Sequence, residues 1–179
     1  MRQQTIKLSA MNSSLTDAVV FLADETQTEA IAQRFASALG VLREDILAQG
    51  FNLRLTGDLG AGKTTFTRAL LRALGVAGRV RSPTFELVEE YDVLDGCVFY
   101  HFDFYRFESP REFEEAGFRD MFGSGRITAC EWSEKAADYL PAADLEITLT
   151  VDKAARRAHL AALSDAGKKV LNEVLGHAA

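Results

Sequence analysis

Residues 57–64 read Gly57-Asp58-Leu59-Gly60-Ala61-Gly62-Lys63-Thr64: a glycine, four residues, then Gly-Lys-Thr. Before the stretch, Phe51, Leu53 and Leu55 alternate as in a half-buried strand; after it, Thr65 to Leu74 reads as a helix closed by Gly75. The same string without those flanks is a plain glycine-rich turn. Between a strand and a helix it specifies a phosphate-binding loop. Glycines admit positive φ and let backbone N–H groups approach phosphate oxygens, and the helix N-terminus adds a dipole that favours anionic charge. The expected nucleotide-binding set is therefore Leu59, Gly60, Ala61, Gly62, Lys63, Thr64 and Thr65. Lys63 reaches the β- and γ-phosphates of a nucleoside triphosphate, and the Thr64 hydroxyl is placed to ligate a magnesium ion that bridges them.

Binding a triphosphate needs only this loop, but hydrolysis also needs an acid at a strand's carboxyl end to hold metal or orient water. Two positions qualify. Asp103 ends the apolar run Cys97-Val98-Phe99-Tyr100-His101-Phe102, and Glu131 ends Ile127-Thr128-Ala129-Cys130, which puts both at the sheet edge expected to carry the loop. An isolated acid at a strand end is otherwise just a polar boundary. Trp132, beside Glu131, either shapes the site or belongs to the core. His101 has no second histidine at ligand spacing, which favours packing or hydrogen bonding to a site residue over metal ligation.

Outward from the loop, the chain alternates. Val19 to Leu22 reads as a strand, and Thr26-Gln27-Thr28-Glu29 as a capping box opening a helix that ends near Gly40. Thr84 to Tyr91 and Cys97 to Phe104 form an antiparallel pair around Asp95-Gly96. Ser109-Pro110-Arg111-Glu112 begins a helix stopping near Gly117, and Ile127 to Glu131 is a further strand. Leu145 to Val151 and Ala158 to Leu163 are strands, and Ser164 caps a last helix. This pattern predicts an α/β fold: a three-layer P-loop NTPase-like domain with a parallel central sheet and antiparallel additions. We expect one such domain over residues 1–179, its core at about 19–163, since a chain of this length suits a single hydrophobic core.

Composition excludes several classes. With 47% hydrophobic and 26% charged residues, the 179-residue chain is ordinary for a globular protein. Met1 to Ala10 holds no apolar stretch suited to a secretory signal or membrane span, and Cys97 and Cys130 lack metal-ligand spacing. A cytoplasmic protein with buried, reduced thiols is the expectation. The net charge of −6 argues against a broad nucleic-acid footprint: no DNA, and tRNA touched only locally or indirectly.

Four segments together, the phosphate loop through Thr65, Arg81-Ser82-Pro83-Thr84-Phe85, Tyr100-His101-Phe102-Asp103-Phe104-Tyr105-Arg106 and Glu131-Trp132, resemble the TsaE (YjeE) ATPases of bacteria in that family's order. The likeness runs from about Val20 to about Val151. It implies a subunit of the machinery that makes threonylcarbamoyladenosine in tRNAs reading ANN codons. Such a subunit docks on TsaB and TsaD and hydrolyses ATP with magnesium, without performing the transfer itself. By this resemblance Glu131 looks like the second metal ligand, Asp103 like a water-orienting or switch carboxylate, and Ser82-Pro83-Thr84 like a mobile loop facing the γ-phosphate. The division between the two acids stays open, and the same three loop residues also suit a turn into the hairpin. The resemblance further points to Glu25 and Arg156 as walls of the base pocket, although Arg156 and Arg157 by default read as solvated charges on a turn. The chain departs from the family at Ser133 and Glu90, where proline is common.

Three other readings use the same loop. A small-molecule kinase needs an acceptor pocket and usually an arginine-rich lid, and the stretch from Arg106 to Arg126 mixes its arginines with many acids. A nucleotide-dependent adaptor would hold a complex together without productive hydrolysis. A GTPase fits less well, since Asn-Lys-x-Asp is lacking.

Overall fold

The strand that leads into the loop, Phe51–Thr56, occupies the middle of a seven-stranded sheet in this computed structural model, which describes residues 16–176. In chain order the strands are β1 (Asp17–Leu22), β2 (Phe51–Thr56), β3 (Val88–Val93), β4 (Cys97–Asp103), β5 (Arg126–Glu131), β6 (Leu145–Asp152) and β7 (Ala155–Ala162). Their spatial order is β1-β7-β6-β2-β5-β4-β3. Strands β6, β2, β5 and β4 run parallel, whereas β1, β7 and β3 pair antiparallel at the two ends. The expected mixture of parallel centre and antiparallel additions is the one found. Its consequence is positional, because ligands of such sheets bind beyond the carboxyl ends of the parallel strands.

The α-helices of the described residues are α1 (Glu25–Val41), α2 (Arg43–Gln49), α3 (Lys63–Ala73), α4 (Glu112–Glu115) and α5 (Asp165–Leu175). Ile31, Phe35 and Leu39 of α1, Phe66 and Leu70 of α3, and Val170 and Val174 of α5 recur at helical spacing and share one buried cluster with Phe51, Leu53, Leu55, Phe99 and Ile147 of the sheet. Each such side chain contributes about 1.5–3 kcal/mol when fully buried. A second, aromatic cluster forms around Phe102, with Phe104, Phe107, Phe113, Phe118 and Cys130. Short turns at 118–121 and 133–136 and the single turn of α4 supply much of it.

Several boundaries differ from the sequence expectation, each for a local reason. Asp24, not Thr26, caps α1: its Oδ1 accepts from Gln27 N–H at 3.0 Å, and Gln27 Oε1 accepts from Ala23 N–H at 3.0 Å. That helix passes Gly40 to Val41, and α2, unforeseen, follows directly. Residues 84–87 form a turn instead of strand, closed by Leu87 N–H on Pro83 O at 2.6 Å with Leu87 at φ 65°. β7 begins at Ala155, so Arg156 and Arg157 lie in a strand, not a turn. Ser109 does begin a capped turn, with Glu112 Oε1 accepting from Ser109 N–H at 2.8 Å, but α4 spans only four residues. Met1 to Ala10 lies outside the described residues.

Candidate functional site

The loop between β2 and α3 is built around its glycines. Gly57 has φ 136°, and a side chain there would collide with the Leu149 carbonyl; Gly62, at φ 108°, is the N-cap of α3. No side chain caps that helix among the described residues. Its first N–H groups are thus left for an anion. Lys63 opens the helix and is 5% exposed. Its Nζ donates to Gly57 O at 2.5 Å and Asp58 O at 3.0 Å and lies 4.2 Å from the Trp132 ring centroid. The ammonium is held at the mouth of the loop by carbonyls and an indole face, partners of the kind a phosphate oxygen can replace.

Parallel pairing brings the acids to the same edge. Leu55 is in register with Glu131, and Glu131 with Asp103. Each acid is 3% exposed. Thr64 Oγ1–H faces both Glu131 carboxylate oxygens, at 2.9 and 3.2 Å. His101 Nε2 lies 2.8 Å from Glu131 Oε1. Asp103 holds a different segment: its Oδ2 accepts from Ser82 Oγ at 3.1 Å and Thr84 Oγ1 at 2.8 Å, and its Oδ1 from Tyr105 N–H at 3.0 Å. The 82–84 turn is therefore tied to the sheet edge through one carboxylate. A cavity of about 260 Å³ results, bringing together Leu59, Gly60, Gly62, Lys63, Thr64 and Thr65 with Ser82, Thr84, Asp103, Glu131 and Trp132. Pro83 is buried beside it without lining it. Tyr105 also lines it, 5.1 Å from Trp132 between ring centroids, and was not singled out from sequence.

A second cavity, of about 270 Å³, lies on the other side of Gly62 and Thr65. Asp24, Glu25 and Thr28 at the start of α1 line it, opposite Leu149 and Arg156. Arg156 is drawn in by backbone: Nε donates to Ala61 O at 3.2 Å, and its guanidinium also to the carbonyls of Ala154 and Ala155. Arg157 instead pairs with Asp152 at 2.9 Å, the solvated arrangement expected by default. The sequence carries no signal for Asp24 and Thr28 as pocket residues: Asp24 precedes the Thr26-Gln27-Thr28-Glu29 box, and Thr28 within it suits a helix start.

The chemistry of the donors fits a hard cation. A hydroxyl and a carboxylate meeting within 3 Å beside a glycine-rich loop and an uncapped helix N-terminus are oxygen ligands of the type magnesium takes together with water and phosphate. Neither cysteine takes part. Both are buried, and burial pushes the Cys130 thiol up to about 12, the value of an inert core thiol.

A sequence model of the family described as threonylcarbamoyl adenosine biosynthesis protein TsaE matches residues 22–159. A tRNA threonylcarbamoyladenosine biosynthesis protein TsaE of Haemophilus influenzae is 40% identical over 152 residues, 85% of this chain and 94% of that protein. The protein of the same name from Nostoc is 35% identical over 148 residues, covering 79% of this chain and 83% of the relative. Among solved structures, the crystal structure of Bacillus subtilis YdiB superposes with a TM-score of 0.66 at 25% identity, covering 98% of this chain and 99% of that one.

Proposed function

Because this chain belongs to the TsaE family of tRNA threonylcarbamoyladenosine biosynthesis, we propose that it is the ATP-binding and ATP-hydrolysing subunit of that modification, acting on tRNAs that read ANN codons together with a TsaB–TsaD pair. The observation that carries the enzymatic part is the meeting of Thr64 and Glu131 at 2.9 Å directly behind Lys63. It joins the triphosphate loop to an acid of a neighbouring strand, the second component that hydrolysis requires.

In this reading the triphosphate lies along the N–H groups of residues 59–64, and Lys63 leaves the carbonyls of Gly57 and Asp58 for phosphate oxygens. Thr64 and Glu131 would hold magnesium, which when bound neutralises charge developing on the β- and γ-phosphates. Asp103, through Ser82 and Thr84, sets the position of the loop over the γ-phosphate and orients the attacking water. The base lies beyond Gly62, against Glu25 and Arg156. Among the described residues no arginine lines the phosphate cavity, and Arg106 is stacked on Phe85, 4.1 Å from the ring centroid. Slow turnover by the isolated chain follows, with stimulation when a partner reorganises the site. The chain would work in the cytoplasm; no helix of the described residues is long and apolar enough to cross a membrane.

The test is phosphate release from ATP and magnesium with and without TsaB and TsaD. Stimulation of about tenfold or more is expected from a partner that completes charge stabilisation. Equal turnover in both mixtures would sink the partnered reading. Asp103→Ala should bind ATP, and Glu131→Ala should bind it with weakened affinity in magnesium, and each should lose at least about 100-fold in turnover at saturating ATP. Survival of tRNA modification in both variants would leave a nucleotide-dependent adaptor.

A further inference from the structure

His101 sits on β4, one strand in from the edge of the sheet, with 0% exposure, on the face it shares with Cys97 and Phe99. One ring nitrogen, Nε2, meets Glu131 Oε1 at 2.8 Å; the other, Nδ1, is buried without a hydrogen-bond partner. Burying an imidazole with half its polar capacity unmet costs free energy that a phenylalanine or leucine at the same position would not. The contact to Glu131 is what the ring provides in return.

With Nδ1 lacking any acceptor, the ring proton belongs on Nε2, where a carboxylate receives it. Glu131 therefore accepts from two sides. Thr64 donates from the loop that receives the nucleotide, and its hydroxyl is needed elsewhere once a metal is present; His101 donates from the interior of the sheet and has no other partner to turn to. Resting on the ATPase reading above, we infer that His101 is a positioning residue: it holds Oε1 of Glu131 from the interior, so that the carboxylate keeps one orientation toward Thr64 and the phosphate cavity. Partners behind a metal-ligating group set its direction, and their loss typically lowers metal affinity or activity by about 10- to 100-fold.

The deciding measurement is calorimetric ATP affinity of the full chain, in magnesium and in EDTA. His101→Ala weakens binding in magnesium by about 10- to 100-fold and leaves binding in EDTA within about twofold of wild type. His101→Gln carries an N–H to the place of Nε2 and restores most of the magnesium response. His101→Asn ends near the place of Nδ1 and does not. In a Glu131→Gln background, His101→Ala adds no further loss, since its effect runs through that carboxylate. The inference is overturned by an alanine variant equal to wild type in magnesium, by equal losses in magnesium and EDTA, by asparagine rescuing as well as glutamine, or by a full additional loss in the Glu131→Gln background. If His101→Ala does not fold, the glutamine and asparagine variants decide; failure of all three to fold assigns His101 to packing and overturns the inference. A wild type indifferent to magnesium overturns the ATPase reading as well, whereas a responsive wild type matched by His101→Ala overturns this inference alone.

Discussion

Two cavities of nearly equal size, about 260 and 270 Å³, adjoin across Gly62 and Thr65, yet they are built by different means. The proposed phosphate side takes its charged groups from the ends of two neighbouring parallel strands, β4 and β5, and from the first residue of α3. Lys63, Asp103 and Glu131 are each no more than 5% exposed, and each is held by at least two hydrogen bonds. The other side takes its polar groups from the antiparallel end of the sheet, where Asp24 and Glu25 are exposed at the start of α1 and Arg156 is half-buried. Buried charge held by several hydrogen bonds has a fixed position and acts in a low dielectric; more exposed charge is screened and adaptable. The first cavity should therefore supply most of the binding energy, and the second the choice of base.

Lys63→Ala puts the largest weight on that contrast. Removing an ammonium that exchanges two backbone carbonyls for charged phosphate oxygens on binding should weaken ATP affinity on the order of 100-fold or more. Inorganic tripolyphosphate, which has no base to place in the second cavity, should lose a similar factor. A loss confined to ATP, with tripolyphosphate unaffected, would break the assignment of the two cavities.

The same contrast explains what was legible in the sequence. The phosphate side is encoded locally: Gly57 to Thr65 is contiguous, its strand and helix alternate with the right periods, and Asp103 and Glu131 each end an apolar run. What the sequence did not reveal is that Ser82 and Thr84 bond Asp103, because they do so beside residues 84–87, which read as strand and form a turn closed by Leu87 in a left-handed conformation. The second side is encoded by pairing at long range. Leu22 lies in register with Arg156, more than a hundred residues away, and nothing in the local run Lys153-Ala154-Ala155-Arg156-Arg157 shows that one arginine turns to Ala61 and the other to Asp152. Helix α2 escaped because seven residues with a single buried apolar side chain, Ile46, carry almost no periodicity.

Arg156→Ala sharpens the comparison at intermediate size. A guanidinium facing a stacked base is worth about 1 kcal/mol, so ATP affinity should fall roughly threefold to tenfold. Tripolyphosphate affinity should not change, and discrimination between ATP and GTP should narrow. If tripolyphosphate weakens equally, the hydrogen bond from Arg156 to Ala61 O is shaping the phosphate loop and the two cavities are not separable.

The smallest effect is expected at Asp24, which lines the second cavity while capping α1. Its carboxylate is exposed and its hydrogen bond to Gln27 N–H is a helix cap, so Asp24→Ala should cost about 1 kcal/mol of folding stability, read by urea unfolding. Asp24→Asn and Asp24→Ser keep a capping oxygen and should restore that stability. They differ from aspartate in charge, and that separates the two roles. If the cavity wall uses Asp24 only for its position at the helix start, ATP affinity in both variants should match wild type. If affinity falls in Asp24→Asn while stability is retained, the carboxylate itself faces the base, and the adaptable side of the site contains a charged selector after all.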